Sequence, residues 1–212
     1  MNYDLIGAQT FFNEHKNNVL RSTGSNVVTV TTPLYNVDGS QCDPRLGKSW
    51  KQLLIDNSIN EPCYVTNNDN PGQSHPNVWL GGHMTKDRTG IVPNGGSCYL
   101  MPLCSWHNST ARNRVAFTHT KNKMLLLTGY MNCDTALTFS LRQEGTDAPF
   151  RIGTYEDGKF NVEDLDQNDL KSREDKILAL GTQAEPPHII LKKVSGGFRF
   201  ISATGLNKST NL

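Results

Sequence analysis

Long hydrophobic runs are missing from this chain of 212 residues, and without one no transmembrane helix is expected. The opening Met1-Asn2-Tyr3-Asp4 lacks the basic-then-apolar order of a signal peptide. The chain therefore reads as soluble, and as cytoplasmic or exported by a route that needs no such leader. Charge of one sign is missing too: 21 basic residues face 20 acidic ones, the formal net charge is +1, and a division near Arg112 leaves each half close to neutral. A protein that depends on phosphate contacts normally carries a basic face or domain, and none is visible here. Five cysteines are an odd number, which suits free thiols or metal ligation in a reducing compartment better than a disulfide framework. Repeats of fixed period, heptads and nucleotide-binding glycine loops are likewise absent. The apolar fraction is only 36%, yet Trp, Phe, Tyr, Leu, Ile and Val recur along the whole length, so the chain should fold.

What the chain does have is concentrated between Asn77 and Asn113, which carries His83, Cys98, Cys104 and His107. Two apolar runs, Val78-Trp79-Leu80 and Tyr99-Leu100-Met101, stand on either side of Gly- and Pro-containing residues and predict two strands joined by a long hairpin loop. Pro102 is expected to close the second strand. Leu103 to Arg112 then has neither Gly nor Pro and is expected to form a short helix. Cys104-x-x-His107 has the spacing of a zinc half-site, because one helical turn aims a thiolate and an imidazole at one ion. Cys63 is the third candidate ligand, and His83, Cys98 or His75 the fourth. The plain alternative is a buried, unligated Cys104 behind Leu103, since free cysteine is among the most buried residue types.

Leu100-Met101-Pro102-Leu103-Cys104-Ser105-Trp106-His107-Asn108 resembles the second half of the HNH, or ββα-metal, nuclease motif, and Gly81-Gly82-His83 resembles its first strand. The similarity covers about a sixth of the chain and implies a general base at His83, a terminal motif position at Asn108, a divalent ion at the scissile phosphate and a structural zinc. Three positions depart from the pattern. Gly82 stands where the acidic metal ligand is usual, Tyr99 where the middle asparagine is, and Cys63-Tyr64-Val65-Thr66 has threonine in place of the knuckle's second thiol. Without a carboxylate at the strand end, a hard cation such as Mg²⁺ loses its natural oxygen ligand.

Along the rest of the chain, Tyr3 to Leu20 predicts an amphipathic helix, Asn26 to Thr32 a β-branched strand, and Leu46 to Ile55 a short helix after turns at Asp38-Gly39 and Asp43-Pro44. Asn57 to Asn77 is rich in Asn, Asp, Pro and Gly and reads as a long loop bearing Cys63 and His75. Strands are expected at Val115 to Thr120, Lys123 to Tyr130, Ala136 to Arg142 and Phe150 to Tyr155. A helix follows from Asn161 to Leu180, and then a hairpin of His188 to Lys193 and Phe198 to Ala203 around Ser195-Gly196-Gly197. The expected fold class is α+β: an HNH-like ββα unit within residues 1–112, then a mainly antiparallel β region with one helix at 113–212, the two packed as one compact unit.

Three functional readings carry forward. One is a metal-dependent nuclease that hydrolyses phosphodiesters with His83 as general base and Asn108 beside it. A second is a catalytically degenerate HNH-like module that binds a protein or glycan partner in place of the nuclease reading's nucleic acid, with Cys63, Cys104 and His107 on a structural zinc. The third is a thiol-dependent hydrolase pairing Cys98 or Cys104 with His83. His15, His119 and His188 are read as surface or sheet residues. Asn108-Ser109-Thr110 and Asn207-Lys208-Ser209 match the glycosylation pattern by chance, with no signal peptide to give them a context.

Overall fold

The computed structural model describes residues 3–39, 49–67, 75, 78–131, 133–157, 159–181 and 186–204. Its fold class is α+β, as expected, and among these residues the helices are α1 (Tyr3–His15), α2 (Trp50–Asp56), α3 (Ala136–Arg142) and α4 (Gln167–Leu180). The strands are β1 (Val19–Arg21), β2 (Ser25–Thr29), β3 (Tyr35–Asn36), β4 (Trp79–Thr85), β5 (Gly96–Cys104), β6 (Lys123–Tyr130), β7 (Phe150–Glu156), β8 (Lys159–Leu165), β9 (His188–Val194) and β10 (Gly197–Thr204). They form two antiparallel five-stranded sheets, ordered β2-β6-β5-β4-β3 and β1-β10-β9-β7-β8. The expected turn at Asp43-Pro44, the start of the Leu46–Ile55 helix and the acceptor pattern at Asn207 fall outside the described residues.

Each sheet belongs to its own compact unit: one made of residues 1–22, 44–47 and 133–212, the other of residues 23–43 and 48–132. The division expected near Arg112 is therefore corrected. Strand β6 pairs with β5 from Gly96↔Tyr130 to Leu100↔Leu125, so the chain past Arg112 still belongs to the unit with the paired histidine and cysteine strands.

In that unit β4 and β5 pair in a register that sets His83 opposite Leu100, Gly81 opposite Pro102 and Trp79 opposite Cys104. Side chains alternate across a sheet, so Trp79, Gly81 and His83 share one face with Leu100 and Cys104, while Gly82 looks to the other face with Met101 and Leu103. Helix α2 covers the first face. Ser49 caps it, its Oγ accepting from Gln52 N–H at 3.1 Å, and it buries Leu53 and Leu54. The backbones approach so closely here that a Cβ on Gly81 would stand 2.7 Å from Trp50 Cβ. Strand β5 runs on through Pro102 to Cys104 instead of closing at the proline. The Pro102 carbonyl accepts from Tyr64 N–H (3.0 Å), so its backbone faces away from β4 and the missing N–H removes no bond of the β4–β5 ladder.

After Cys104 the expected helix over Leu103–Arg112 is replaced. Cys104 ends a strand, Asn108 N–H closes one turn onto the Cys104 carbonyl (3.0 Å), and a single 3-10 turn covers Thr110–Arg112. Val115 to Thr120 forms no continuous strand and makes isolated bridges only, Leu34↔Phe117 and Val65↔His119. A register shift in the β5–β6 pair places Gly96 opposite Tyr130 and Ser97 opposite Thr128. The residue left over is Gly129, at φ 66, and this bulge turns the Tyr130 ring onto the face of His83.

The other unit wraps its sheet with α3, which the sequence suggested was a strand. Six of the seven residues of α3 are buried, so no single apolar stripe marks it as helical. What starts the helix is a capping box between Thr135 and Thr138. Gly153 of β7 lies directly beneath, where a Cβ would be 2.5 Å from a Leu137 methyl. Arg142 is fully buried and is ion-paired to Asp134, and it also donates to the Arg21 carbonyl (2.9 Å), tying β1 to α3. The expected helix from Asn161 to Leu180 splits into β8 and α4, with Asp166 as the cap, accepting from Asn168 and Asp169 N–H at 2.7 and 2.8 Å. Among the described residues, the region after residue 112 thus has two helices where one was expected. The N-terminal helix stops at His15, and Val19–Arg21 joins a sheet.

Candidate metal centre

Four side chains meet where the end of β5 passes the loop that follows α2: Cys63, His75, Cys104 and His107, with one ligand atom from each and all four within 4.8 Å of one another. Sequence reasoning named Cys63, Cys104 and His107 together and left the fourth place among His83, Cys98 and His75. The structure brings in His75. Cys104 Sγ lies 3.1 Å from His107 Nδ1 and 3.8 Å from His75 Nδ1, and Cys63 Sγ lies 3.4 Å from His107 Nδ1. With zinc bonds of about 2.3 Å to sulfur and 2.0–2.1 Å to nitrogen, a tetrahedral site has ligand-to-ligand edges of about 3.3–3.8 Å. The cluster is already near that size.

Local structure explains the convergence. Cys104 is the last residue of β5, and the turn closed by Asn108 N–H brings His107 back over it. Cys63 is held alongside because its neighbour Tyr64 donates to the Pro102 carbonyl, two residues before Cys104. His107 Nε2 is 3.1 Å from the Asn67 carbonyl, an acceptor only, which sets the tautomer with the proton on Nε2 and the lone pair on Nδ1. Asn67 is itself pinned, its Nδ2 donating to the Ala116 carbonyl (2.9 Å) and its Oδ1 accepting from Thr118 N–H (2.8 Å). The His107 ring is edge-on to Phe117 at 5.2 Å and stacked with His75 at 4.9 Å. Cys104 and His107 are each 1% exposed, and Cys63 and His75 are half-buried. Burial pushes the Cys63 thiol up to about 11, with the Cys104 thiol beside it adding to the rise. A cation entering the cluster must therefore displace the proton of the Cys63 thiol.

His83 is elsewhere. It faces Leu100, and Cys104 is four residues further along β5, about 13 Å at roughly 3.3 Å per residue. Its ring is 6% exposed and packs edge-on to Trp50 at 4.4 Å and tilted to Tyr130 at 5.4 Å. Asn108 lies beside Gly82, on the other face: its Oδ1 would be 3.0 Å from a Cβ built there, and a Leu103 methyl would be 2.3 Å away. His83 and Asn108 thus flank one strand from opposite sides and do not share a pocket. Cys98 sits fully buried on β5 and is not part of the cluster.

No family model matches the chain. Comparison with curated proteins and with solved structures likewise returns no match. The site is therefore described by its own chemistry. Two thiols and two imidazoles within a partly dry pocket form a soft, closed donor set with no carboxylate, suited to zinc over magnesium or calcium. His119, with its ring nitrogens 3.1 Å from the Lys121 and Thr32 carbonyls, and His188, with Nδ1 2.8 Å from the Pro186 carbonyl, are engaged in local backbone contacts. Sequence reasoning missed Asn67, and its only signal was a place in an Asn-rich loop next to Cys63. Among the described residues no helix is long and apolar enough to cross a membrane.

Proposed function

We propose that Cys63, His75, Cys104 and His107 hold a structural zinc, and that the protein is a zinc-stapled recognition module rather than an active nuclease. The observation that carries this reading is the donor set: two sulfurs and two imidazole nitrogens within 4.8 Å of one another, enough to fill a tetrahedral shell and leave no position for water or substrate. Catalytic zinc keeps such a position open. The ion would fasten the loop between α2 and β4, through Cys63 and His75, to the end of β5.

The nuclease reading, with His83 as general base and Asn108 at its side, has less in its support. Any carboxylate replacing Gly82 would displace Leu103, and His83 is packed between Trp50 and Tyr130 with 6% of its surface exposed. The thiol-hydrolase reading needs Cys98 or Cys104 next to His83, but Cys104 instead contacts His75 and His107.

Metal content and nicking of plasmid DNA, measured together on protein purified without added metal, separate these readings. The module reading expects stoichiometric zinc, a lower melting temperature in chelator, and no nicking with Mg²⁺, Mn²⁺ or Ni²⁺. Metal-dependent nicking that His83→Ala reduces on the order of a hundred- to ten-thousand-fold would instead establish His83 as the base. Absence of zinc, with melting indifferent to chelator, would remove the structural ion.

A further inference from the structure

Strand β2 lies at the end of its sheet, in the order β2-β6-β5-β4-β3, and one of its two edges is bare among the described residues. Its register shows which backbone groups point outward. The Gly24 carbonyl accepts from Thr128 N–H (3.0 Å) and Val30 N–H donates to the Asn122 carbonyl (2.9 Å), so the even-numbered residues turn their polar groups to β6. Ser25, Val27 and Thr29 turn theirs away. The pairing with β6 runs from Ser25↔Leu127 to Thr29↔Lys123 without a bulge, and Val27, at the centre, is 49% exposed.

Edge strands that stay single are usually guarded by shortness, charge, proline or a bulge. The other three sheet edges have such a guard. β3 has two residues and β1 three, and β8 carries Glu163 and Asp164. β2 reads Ser-Asn-Val-Val-Thr, with no charge, no proline and no bulge. Among the described residues it is the one edge of full length without such a guard.

We propose that β2 is a self-association surface, and that a second copy of this chain pairs with it, antiparallel and about a two-fold axis through Val27. The sequence of the strand selects that occupant. Because Val27 is both central and outward-facing, a two-fold axis there sets Val27 opposite Val27 and Ser25 opposite Thr29, so each outward N–H meets a carbonyl of the other copy. Val27 then meets Val27 and each Ser25 meets a Thr29, Asn26 stands opposite Val28, and no like charges meet. Two five-stranded sheets become one continuous sheet. This rests on the edge alone and is independent of the metal centre.

The test is the solution mass of the full chain, by sedimentation velocity over a dilution series, for the wild type and three variants. The wild type is expected at twice the monomer mass, dissociating on dilution. Val27→Lys, which brings like charges together at the axis, and Val27→Pro, which deletes an outward N–H without removing a β2–β6 bond, are both expected to sediment as monomers. Val19→Lys, at a residue exposed to a similar degree (46%) on β1, should leave the mass unchanged. Circular dichroism confirms folding, and if the proline variant fails to fold the lysine variant decides. A wild type that is monomeric up to its solubility limit overturns the proposal, as does a dimer that survives Val27→Lys.

Discussion

At His107 the two ring nitrogens divide the work, with Nδ1 3.1 Å from Cys104 Sγ and Nε2 3.1 Å from the Asn67 carbonyl. The Asn67 side chain touches no ligand, yet it holds its own carbonyl in place through Ala116 and Thr118. Asn67→Ala is therefore expected to weaken zinc binding by about 10- to 100-fold while leaving all four ligands intact, as measured by competition with a chromogenic chelator. An unchanged affinity would show that the His107 tautomer is set without it. Cys104 and His107 were legible in the sequence because ligands three residues apart can meet within one turn, whether or not that turn is helical. His75 could be listed but not chosen, since choosing it requires the path of the loop. Asn67 was not legible, because its contribution to His107 comes from a backbone carbonyl and every residue has one. His83 was legible as a strand residue and misjudged as a strand end: β4 continues to Thr85 and carries its ring into the packing of Trp50 and Tyr130.

Among the elements, α4 depends most on its own ends. Leu170 is its one buried residue, lying with Phe150, Ile152, Leu165 and Ile190, so little packing holds the rest of the helix. Asp166 satisfies two of the first N–H groups and stands at the positive end of the helix dipole. Asp166→Ala should cost about 1 kcal/mol and appear as faster amide exchange in the first turn of α4, with β8 little changed. Protection that is unaffected would mean that the cap is redundant with Asp169, which reaches back to Asp166 N–H at 3.1 Å. The sequence reading started this helix at Asn161 because Asn followed by acidic residues is a helix-start signal. The Asp166-x-x-Asp169 box five residues later is the same signal, and Phe160 and Val162 before it belong to a strand that only pairing with β7 makes visible. Ala136–Arg142 was misread for a related reason: a short segment buried on nearly every side carries no period, and the Thr135–Thr138 box was its sole helical mark.

For the whole molecule, the unit boundaries fall after Ser22 and before Cys133, not at Arg112. The change from motif-bearing loops to strands near residue 113 suggested a division, but β6 completes the sheet that carries β4 and β5, and a pairing of that separation is not written in local periodicity. The α+β class was legible from the strand and helix signals, whereas the assignment of strands to two sheets was not. Within one of those units, the account stands on the proposed closed ion site, which would fasten the loop bearing Cys63 and His75 to the strand end at Cys104. The most direct test is X-ray absorption at the zinc edge on protein purified without added metal. The account predicts one zinc per chain with two sulfur ligands at about 2.3 Å and two nitrogen ligands at about 2.0–2.1 Å, and loss of a sulfur shell in Cys104→Ser. A zinc-free protein, or a metal shell dominated by oxygen, would contradict it.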